Sequence, residues 1–489
     1  MLPSSSDLIL PLVLASLLFF FFSFIRRSLT NTKATKLTGP PNPSLLFGAL
    51  RVLVKSDDQG ALHEQWATRY GPAFRVAGPL GSSRIIICDP RAIAHFYAKE
   101  TFAYVQTRFA KVFIGNLFGR GLLYAEGESH RRQRKALSPA FSNAAIRKLT
   151  HVFYDAAYKL KAHWDSTLSA ASGEAMIDVQ ACLDSIGIAG FGHDFQALDG
   201  VKTPIIDVFE SFSNSSNSLF GRIVFLLSPV FPWLQHLPTK QNRTIKRMRA
   251  TMGEIADEVL KRNRSELTGS PLHRRISPLL AKAEMSSTSL GMSRAEVLSQ
   301  NVLLIAGTYD IWALIELCRR PEKQQKLRQE LAQLLSEGSD PDPSFDQLST
   351  GLPYLDAVTL EVLRLHPPVA ATTRVATEDD VIPFSAPIKT SSGEEVSSLV
   401  IKKGETITAP ILYMNRAEMF WGPNATQFEP DGGWNLKARA VLSVLIRNYT
   451  FELPNGPTTK IESHPAIFRR PKVAGEVEPR LPLRIRRVE

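Results

Sequence analysis

The stretch "TLEVLRLHPPV", residues 359–369, places Glu361 and Arg364 three positions apart on a predicted helix. Side chains at i and i+3 of a helix lie on one face, so these two can form an ion pair. An isolated pair of this kind on a surface contributes little to stability. The surrounding sequence gives the pair more weight. The helix ends at two prolines, and "AATTR", the acidic "EDD" and strand-like sequence follow it.

Helical patterns dominate the sequence outward from this stretch. "SRAEVLSQNVLLIAG" (293–307), "PEKQQKLRQELAQLLSEG" (321–338) and "LPYLDAVTLEVLRLHPP" (352–368) repeat apolar residues at helical spacing. Strand signals are fewer. "FRVAGP" and "SRIIICD" predict two strands separated by a turn, and "SSLVIKKGETITAPI" (397–411) predicts further short strands. The pattern therefore predicts a mainly α fold with small β-sheets.

Composition excludes several classes of protein. The chain has 489 residues, 44% hydrophobic and 21% charged, which is enough apolar sequence for a large core. The net charge of +11 comes from scattered basic residues without interleaved aromatics, so we expect no nucleic-acid partner. The three cysteines, Cys88, Cys182 and Cys318, are far apart and form no CxxC, which is typical of a reducing compartment. The sequence contains no P-loop, no G-x-S-x-G and no H-E-x-x-H, and its histidines have no metal-ligand spacing.

The N-terminal region predicts a membrane anchor. Leu8–Ile25 carries no charge, and as a helix it would extend about 27 Å, close to the ~30 Å hydrocarbon core of a bilayer. Arg26 and Arg27 follow the span and Asp7 precedes it, which predicts a cytosolic location for the rest of the chain. A cleaved signal peptide is the alternative. It is less favoured, because no positive region precedes the apolar run and no small-x-small site follows it.

These patterns divide the chain into three parts. Residues 1–27 are predicted to be the single-pass anchor, and residues 28–48 a proline-rich linker that includes "LTGPPNPSLLFG". Residues 49–489 contain no repeat and no second clear linker. They are predicted to form one globular domain.

Several motifs, taken in order, resemble a known family. They are "GLLYAEGESHRRQRKALSPAFS" (121–142), "LIAG" followed by "WALIELCRRPEKQQKLRQEL", the Glu361–Arg364 helix, and "WGPNATQFEP" (421–430). Together with the N-terminal anchor, they resemble a cytochrome P-450 of the membrane-anchored microsomal type found in fungi. The resemblance covers nearly the whole chain and implies the cytochrome P-450 fold.

The resemblance also implies an activity. Members are haem-thiolate monooxygenases that insert one oxygen atom of O2 into an apolar small molecule. Such a substrate would be a secondary metabolite or a terpenoid, steroid, fatty-acid or aromatic compound. The electrons come from an NADPH-cytochrome reductase, and the enzyme resides at the endoplasmic reticulum membrane with its globular domain in the cytosol.

The resemblance assigns roles to particular residues. Glu361 and Arg364 match the ExxR pair that forms a buried structural triad with a later arginine. His130, Arg134 and Arg374 match residues that bind the haem propionates, and the charge-assisted bonds of the two arginines to carboxylates suit that role. Arg131 and Arg132 are expected to face solvent. His151 and His366 are expected to have structural roles.

The chain departs from the family pattern at the oxygen-activating helix. The family has A/G-G-x-D/E-T there, and this chain reads "AGTYDI" (306–311). Asp310 stands approximately where the family has its catalytic acid, and Ile311 replaces the threonine. The following "WALIELC" begins several residues early. The chain is therefore predicted to be truncated around 308–311.

The second departure concerns the iron ligand. The family follows F-x-P-E-R-F/W with the loop F-x-x-G-x-R-x-C-x-G, whose cysteine thiolate ligates haem iron. Here Phe428 to Asp431 lead into Gly432, where the triad arginine would stand, and the cysteine loop is missing around 432–436. The following "LKARAVLSVL" resembles the helix after that loop. No cysteine follows Cys318, so no metal ligand is predicted, although the family implies haem.

Three interpretations therefore remain open from the sequence. The chain is a haem-dependent monooxygenase that is impaired as written. Alternatively, it is a catalytically dead, membrane-bound binding protein that keeps the fold. The third possibility is a mispredicted gene product of an active enzyme, because the sequence on either side of both breaks is intact.

Overall fold

The structure is a computed structural model. It describes residues 35–56, 58–147, 150–179, 310–336, 342–430, 439–464, 470–476 and 480–488, together with residues 224, 228, 231–237, 239–240, 242–247, 249–251 and 253–254. Three regions discussed above lie outside these ranges: the predicted anchor Leu8–Ile25, the predicted helix 293–307, and residues 432–436, where the cysteine loop is missing. Within the described residues, no helix is both long enough and apolar enough to cross a membrane.

Helices make up most of the regular structure. In chain order they are α1 Leu50–Lys55, α2 Gln59–Tyr70, α3 Pro90–Ala98, α4 Arg108–Leu117, α5 Gly127–Leu137, α6 Asn143–Arg147, α7 Thr150–Ala170, α8 Asp310–Arg319, α9 Pro321–Ser336, α10 Pro353–Leu365, α11 Ile411–Met414, α12 Glu418–Trp421 and α13 Arg439–Asn448. Single 3-10 turns lie at Pro79–Gly81, Ser138–Phe141 and Pro232–His236, and one π-turn lies at Gln347–Gly351.

The strands are short and form small sheets. They are β1 Ala73–Ala77, β2 Ser83–Ile87, β3 Tyr104–Gln106, β4 Glu174–Asp178, β5 Thr372–Ala376, β6 Asp380–Lys389, β7 Glu395–Ile401, β8 Thr406–Ala409, β9 Tyr449–Glu452, β10 Ile461–His464, β11 Arg470–Val473 and β12 Pro482–Arg487. The predicted mainly α fold with small sheets is confirmed, as are the β1–β2 hairpin and helices α9 and α10.

The described residues group into two compact units. Unit 1 comprises residues up to Phe109, Phe225–Pro232 and Ala371–Tyr413, and unit 2 comprises Ala110–Val224, Trp233–Ala370 and Met414–Glu489. The units interleave along the sequence because the strands of one sheet come from distant parts of the chain. Hydrophobic periodicity indicates which residues of a segment are buried, but not which other segment covers them. It therefore cannot reveal how the segments group into units.

Unit 1 is built around a five-stranded sheet of order β1-β2-β8-β5-β3. β2 and β8 are parallel and the other neighbours are antiparallel. Helix α3 packs on the separate β6–β7 hairpin. Asp89 joins these two elements, because its carboxylate caps α3 at the Ala92 N–H and also accepts the Ser385 N–H at 3.1 Å.

The described part of the proline-rich segment belongs to unit 1. Leu37 is buried in the unit 1 core. The carbonyl of Thr38 accepts the Arg75 N–H at 2.8 Å. A Cβ on Gly39 would lie 1.8 Å from the Arg75 carbonyl oxygen, so only glycine permits this approach. The described part of the segment, residues 35–48, is thus fixed along the edge strand β1.

Unit 2 contains the larger core. Helices α7, α8, α9, α10 and α13 pack together with the sheet β4-β12-β9. Trp164 on α7 is fully buried against the rings of Tyr449 and Phe451. The unit thereby joins the ExxR helix α10 to α13, the helix that follows the second break in the sequence.

Candidate functional site

Helix α10 presents the ExxR pair to the interior of unit 2. Pro353 is at its first position, where a missing N–H costs nothing. The carboxylate of Glu330, on α9, accepts the N–H groups of Tyr354 and Leu355 at 2.7 and 2.9 Å. A carboxylate at this end also complements the helix dipole. The helix ends at Leu365, before Pro367 and Pro368.

Arg364 directs every N–H of its guanidinium to an oxygen. Nε and Nη2 donate to the two carboxylate oxygens of Glu361 at 2.8 and 2.7 Å. Nη2 also donates to the carbonyl of Gln427 at 3.0 Å, and Nη1 donates to the carbonyls of Asn415 and Ala425. A guanidinium has five donors, and here five acceptors surround it. The bidentate geometry makes this a strong, directional contact.

Glu361 has one further donor in the described residues, the backbone N–H of Glu429 at 2.8 Å. The side chains of Glu361 and Arg364 are only 10% and 9% exposed. Glu361 and Arg364 thus form a buried ion pair. Gly432, where the family has the third triad member, lies outside the described residues.

The segment before the second break is held from two sides. Arg364 donates hydrogen bonds to three of its backbone carbonyls. Lys323 on α9 donates to the Phe428 carbonyl at 2.9 Å and to the Glu429 carboxylate at 2.5 Å. Phe428 is fully buried. The indole of Trp421 lies over the Arg364 guanidinium at 5.0 Å, in cation–π geometry. Residues 415–430 thus have a fixed path up to the point where the sequence departs from the family.

A second polar cluster lies at the end of α10. His366 stacks on Trp312 with ring centroids 4.1 Å apart, and its Nε2 lies 2.9 Å from Glu316. Arg319 and Arg320 also pair with Glu316, whose side chain is 4% exposed. Because a carboxylate only accepts hydrogen bonds, Nε2 of His366 carries the proton. The prediction that His366 is structural is consistent with these contacts.

The charges in this cluster shift two pKa values. Burial opposes ionisation of Glu316, but the hydrogen bond from His366 and the nearby arginines outweigh it and lower its pKa to about 2. Burial lowers the pKa of His366 below its ordinary 6.5, by more than Glu316 raises it. Glu316 is therefore ionised and His366 neutral near pH 7.

The predicted propionate residues lie in different units. His130 and Arg134 are one turn apart on α5 in unit 2, with His130 half-buried and Arg134 exposed. Arg374 lies on β5 in unit 1 and pairs with Glu100 at 2.5 Å, so a propionate there would compete with that carboxylate. Arg131 is exposed as predicted, whereas Arg132 is half-buried because its helix turns that position inward.

The oxygen-activating stretch is described only in part. Asp310 begins the described helix α8. Ile311 is buried in the apolar core of unit 2. A buried isoleucine has no hydroxyl to order water, so this position cannot supply the proton-delivering group that the family places there.

The donor chemistry does not fit a haem thiolate among the described residues. Cys88 and Cys318 are both buried, and burial raises the pKa of each thiol well above its ordinary value. Cys88 follows β2 and Cys318 lies on α8, and neither stands in the sequence after Asp431, where the family has its thiolate ligand. Cys182 lies outside the described residues. The described part of the chain also contains no cluster of three or more His, Cys, Asp or Glu side chains suited to a metal ion.

Sequence reasoning missed three members of this region. Trp421, Lys323 and Glu316 each contact the ExxR helix or the segment that it holds. Trp421 belongs to the motif "WGPNATQFEP", which indicated the family but not the contact of the indole with Arg364. Lys323 and Glu316 are ordinary charged helix residues in sequence, and packing alone decides their partners.

An α-rich fold with small sheets and a buried ExxR pair that holds the segment before an iron-ligand loop defines a haem-monooxygenase scaffold. The sequence model of the cytochrome P450 family matches residues 38–432. The chain belongs to the cytochrome P450 family.

Similar proteins come from fungi. The cytochrome P450 monooxygenase claP of Ampulloclitocybe clavipes is 50% identical, with 98% of each chain covered. The cytochrome P450 monooxygenase claQ of the same fungus is 51% identical over 94% of each chain. A ganoderic acid synthetase of Ganoderma lucidum is 29% identical over 88% of this chain and 83% of its own.

The alignment lengths bear on the two breaks. The comparison with claP runs over 526 positions, 37 more than the 489 residues of this chain. At least 37 positions of that relative therefore have no counterpart here. The family match ends at residue 432, the point where the cysteine loop is missing. Both findings agree with segments that are absent within the chain.

We predict that Glu361→Ala destabilises unit 2 strongly. It leaves a buried guanidinium without its carboxylate, and breaking a buried pair typically costs ~3–5 kcal/mol. Glu128→Ala is the matched control, because Glu128 and Arg131 form an i,i+3 pair with both side chains 74% exposed, worth ~0–1 kcal/mol. Urea unfolding followed by circular dichroism measures both. Equal midpoints for the two variants would contradict a closed core around the pair.

We further predict an acid-sensitive contribution from Glu316. Its pKa lies near 2, below the ordinary 4.5, so its stabilisation is complete above pH 4.5 and lost as the pH falls toward 2. Glu316→Gln should remove stabilisation on the order of 1–3 kcal/mol at pH 7 and flatten the acid dependence in that window. Midpoints between pH 7 and 3 test this, with Glu128→Gln as the exposed control. An unchanged slope in Glu316→Gln would refute it.

Proposed function

We propose that the complete form of this protein is a haem-thiolate monooxygenase of fungal secondary metabolism, and that the chain as written is its scaffold without the iron ligand. The substrate would be an apolar small molecule of the secondary-metabolite, terpenoid, steroid, fatty-acid or aromatic type. Electrons would come from an NADPH-cytochrome reductase, the usual redox partner in this family. The activities named for the fungal relatives support this reaction class.

One observation carries the proposal. All N–H donors of the Arg364 guanidinium are hydrogen-bonded, three of them to backbone carbonyls of the segment that leads to the iron-ligand loop in this family. These carbonyls belong to Asn415, Ala425 and Gln427. The 50% identity to a fungal cytochrome P450 monooxygenase over 98% of each chain adds to this contact. Together they favour an interrupted or mispredicted enzyme over a separate binding protein.

The alternative is a catalytically dead, membrane-bound binding protein. It is favoured by the missing cysteine and by Ile311 in the buried position where the family has threonine. The transcript around Asp431 separates the two functions. An in-frame segment encoding F-x-x-G-x-R-x-C-x-G would establish the enzyme, and its absence from every transcript would establish the binding protein.

The chain as written should give no ~450 nm band in its reduced, CO-bound spectrum, because that band reports thiolate ligation. The same chain with the cysteine loop restored after Asp431 is expected to show it. Cys318→Ser serves as the control in both forms, since its buried thiol should contribute nothing. A clear band from the unrepaired chain would overturn the proposal.

We propose that the protein resides at the endoplasmic reticulum membrane, held by residues 1–27 with its globular part in the cytosol. A second contact would be the apolar, proline-broken segment 221–238. Within it Trp233 is 61% exposed, and tryptophan prefers the membrane interface. The alternative is a segment folded onto the protein.

Deletion of residues 1–27 should reduce but not abolish membrane association, since the second contact remains. Adding Trp233→Ala to the deletion should weaken the residual association further, because it removes an interfacial anchor. Flotation with phospholipid vesicles measures both, and Phe102→Ala, which removes a 53% exposed aromatic ring outside this segment, is the control. Full solubility after the deletion alone would exclude the second contact.

A further inference from the structure

His366 contacts α8 through two different faces of its ring. The flat face stacks on Trp312, with only 10° between the ring planes, and the edge donates from Nε2 to Glu316. Trp312 and Glu316 are one turn apart on α8, so a single imidazole fixes both the rotation and the depth of that helix. A histidine that only filled the core would need neither contact.

The backbone beside His366 is fixed by the segment that Arg364 holds. The Leu365 carbonyl accepts from Nε of Arg416 at 2.9 Å and also from Nη2. In return, Arg364 donates to the carbonyl of Asn415, the residue before Arg416. The end of α10 and residues 415–416 therefore clamp each other through two arginine–carbonyl contacts in opposite directions.

These contacts form a continuous path within unit 2. It runs from Trp312 and Glu316 through His366 to the arginine clamp, and then through Glu361 to the Glu429 N–H. Every link is a hydrogen bond, an ion pair, a ring stack or a covalent neighbour. Each contact is directional, so a change in the setting of α8 alters the geometry at residues 427–430.

We propose that His366 is a positioning residue that couples the setting of α8 to the setting of the segment leading into the iron-ligand loop. The inference rests on the proposed function, because only in a haem enzyme would α8 and residues 427–430 both lie beside a reaction centre. Asp310 at the start of α8 stands near the oxygen-activating position, and residues 427–430 precede the ligand loop. His366 would hold the two sides of the reaction centre in register.

The charged groups around His366 set the pH at which the coupling acts. Glu316 and Arg319 face it from α8, and Arg416 faces it from the clamp. Arg320 acts through Glu316. The neutral ring is the buried form near pH 7. Burial lowers the pKa of His366, so its protonation requires a pH below the ordinary 6.5 and would place a third cation beside Arg319 and Arg416. The coupling should weaken as His366 becomes protonated.

Amide hydrogen exchange of the chain as written tests the coupling without haem. His366→Phe keeps a ring against Trp312 but cannot donate to Glu316, and losing a bond to a charged group should speed exchange about 10- to 100-fold. We expect this acceleration both in residues 314–319 and at the Glu429 amide. His366→Gln, whose side-chain amide reaches the position of the imidazole Nε2 and keeps an N–H donor there, should partly restore both. His151→Gln, at an exposed position on α7, is the control.

The pattern of acceleration decides the outcome. Acceleration confined to the end of α10 would mean local packing only and would overturn the proposal. Equal acceleration of the β9–β12 amides, such as Ile485 opposite Phe451, would mean general destabilisation and would also overturn it. Faster exchange at both ends with an unchanged sheet supports it.

A second measurement keeps the test valid if His366 variants fail to fold. Protonated imidazole quenches indole emission, so parent fluorescence should drop through Trp312 as His366 becomes protonated, at a pH below the ordinary histidine pKa of 6.5. Trp312→Phe should abolish that drop. An identical pH profile in Trp312→Phe would refute the stacked contact as the reporter of coupling. Both measurements use the haem-free chain, so their outcome is independent of the ~450 nm band.

Discussion

The buried pair of Glu361 and Arg364 is the contact on which the haem-side scaffold depends. A guanidinium removed from water requires all its donors to be matched, because each unpaired one carries a large desolvation cost. Here the acceptors are one carboxylate and three backbone carbonyls, which lie 51 to 63 residues away along the chain. Satisfying one side chain therefore fixes the path of a segment without secondary structure of its own.

That arrangement explains how the scaffold persists beside an interrupted sequence. Glu361 accepts from the Glu429 N–H, and Lys323 holds the Glu429 side chain and the Phe428 carbonyl. On the other side of the break, α13 is anchored independently by its buried face against α7. Both flanks of the missing loop are thus secured by contacts that the loop does not make. The contacts that hold these flanks are therefore distinct from the residue that would ligate iron.

The same separation limits function. A fold can be complete in its packing while the chemistry depends on one residue in one loop. Cys88 and Cys318 are both buried and stand earlier in the chain, and neither follows Asp431, where the family has its thiolate ligand. Family membership follows from many dispersed contacts, whereas catalysis requires a thiolate at a single position.

The sequence by itself determined helices α9 and α10, the β1–β2 hairpin, the short strands after the ExxR helix, the ExxR pair and the missing cysteine loop. Periodicity and motif order are local properties, and each is visible in the residues. Only the tertiary structure decided that two units interleave, that residues 35–48 lie along β1, and that Glu316, Lys323 and Trp421 serve α10. Those partners are distant in sequence, and the residues next to a charged or aromatic side chain do not indicate what it will contact. The physical reason is that burial and charge pairing are settled between elements, after each has formed.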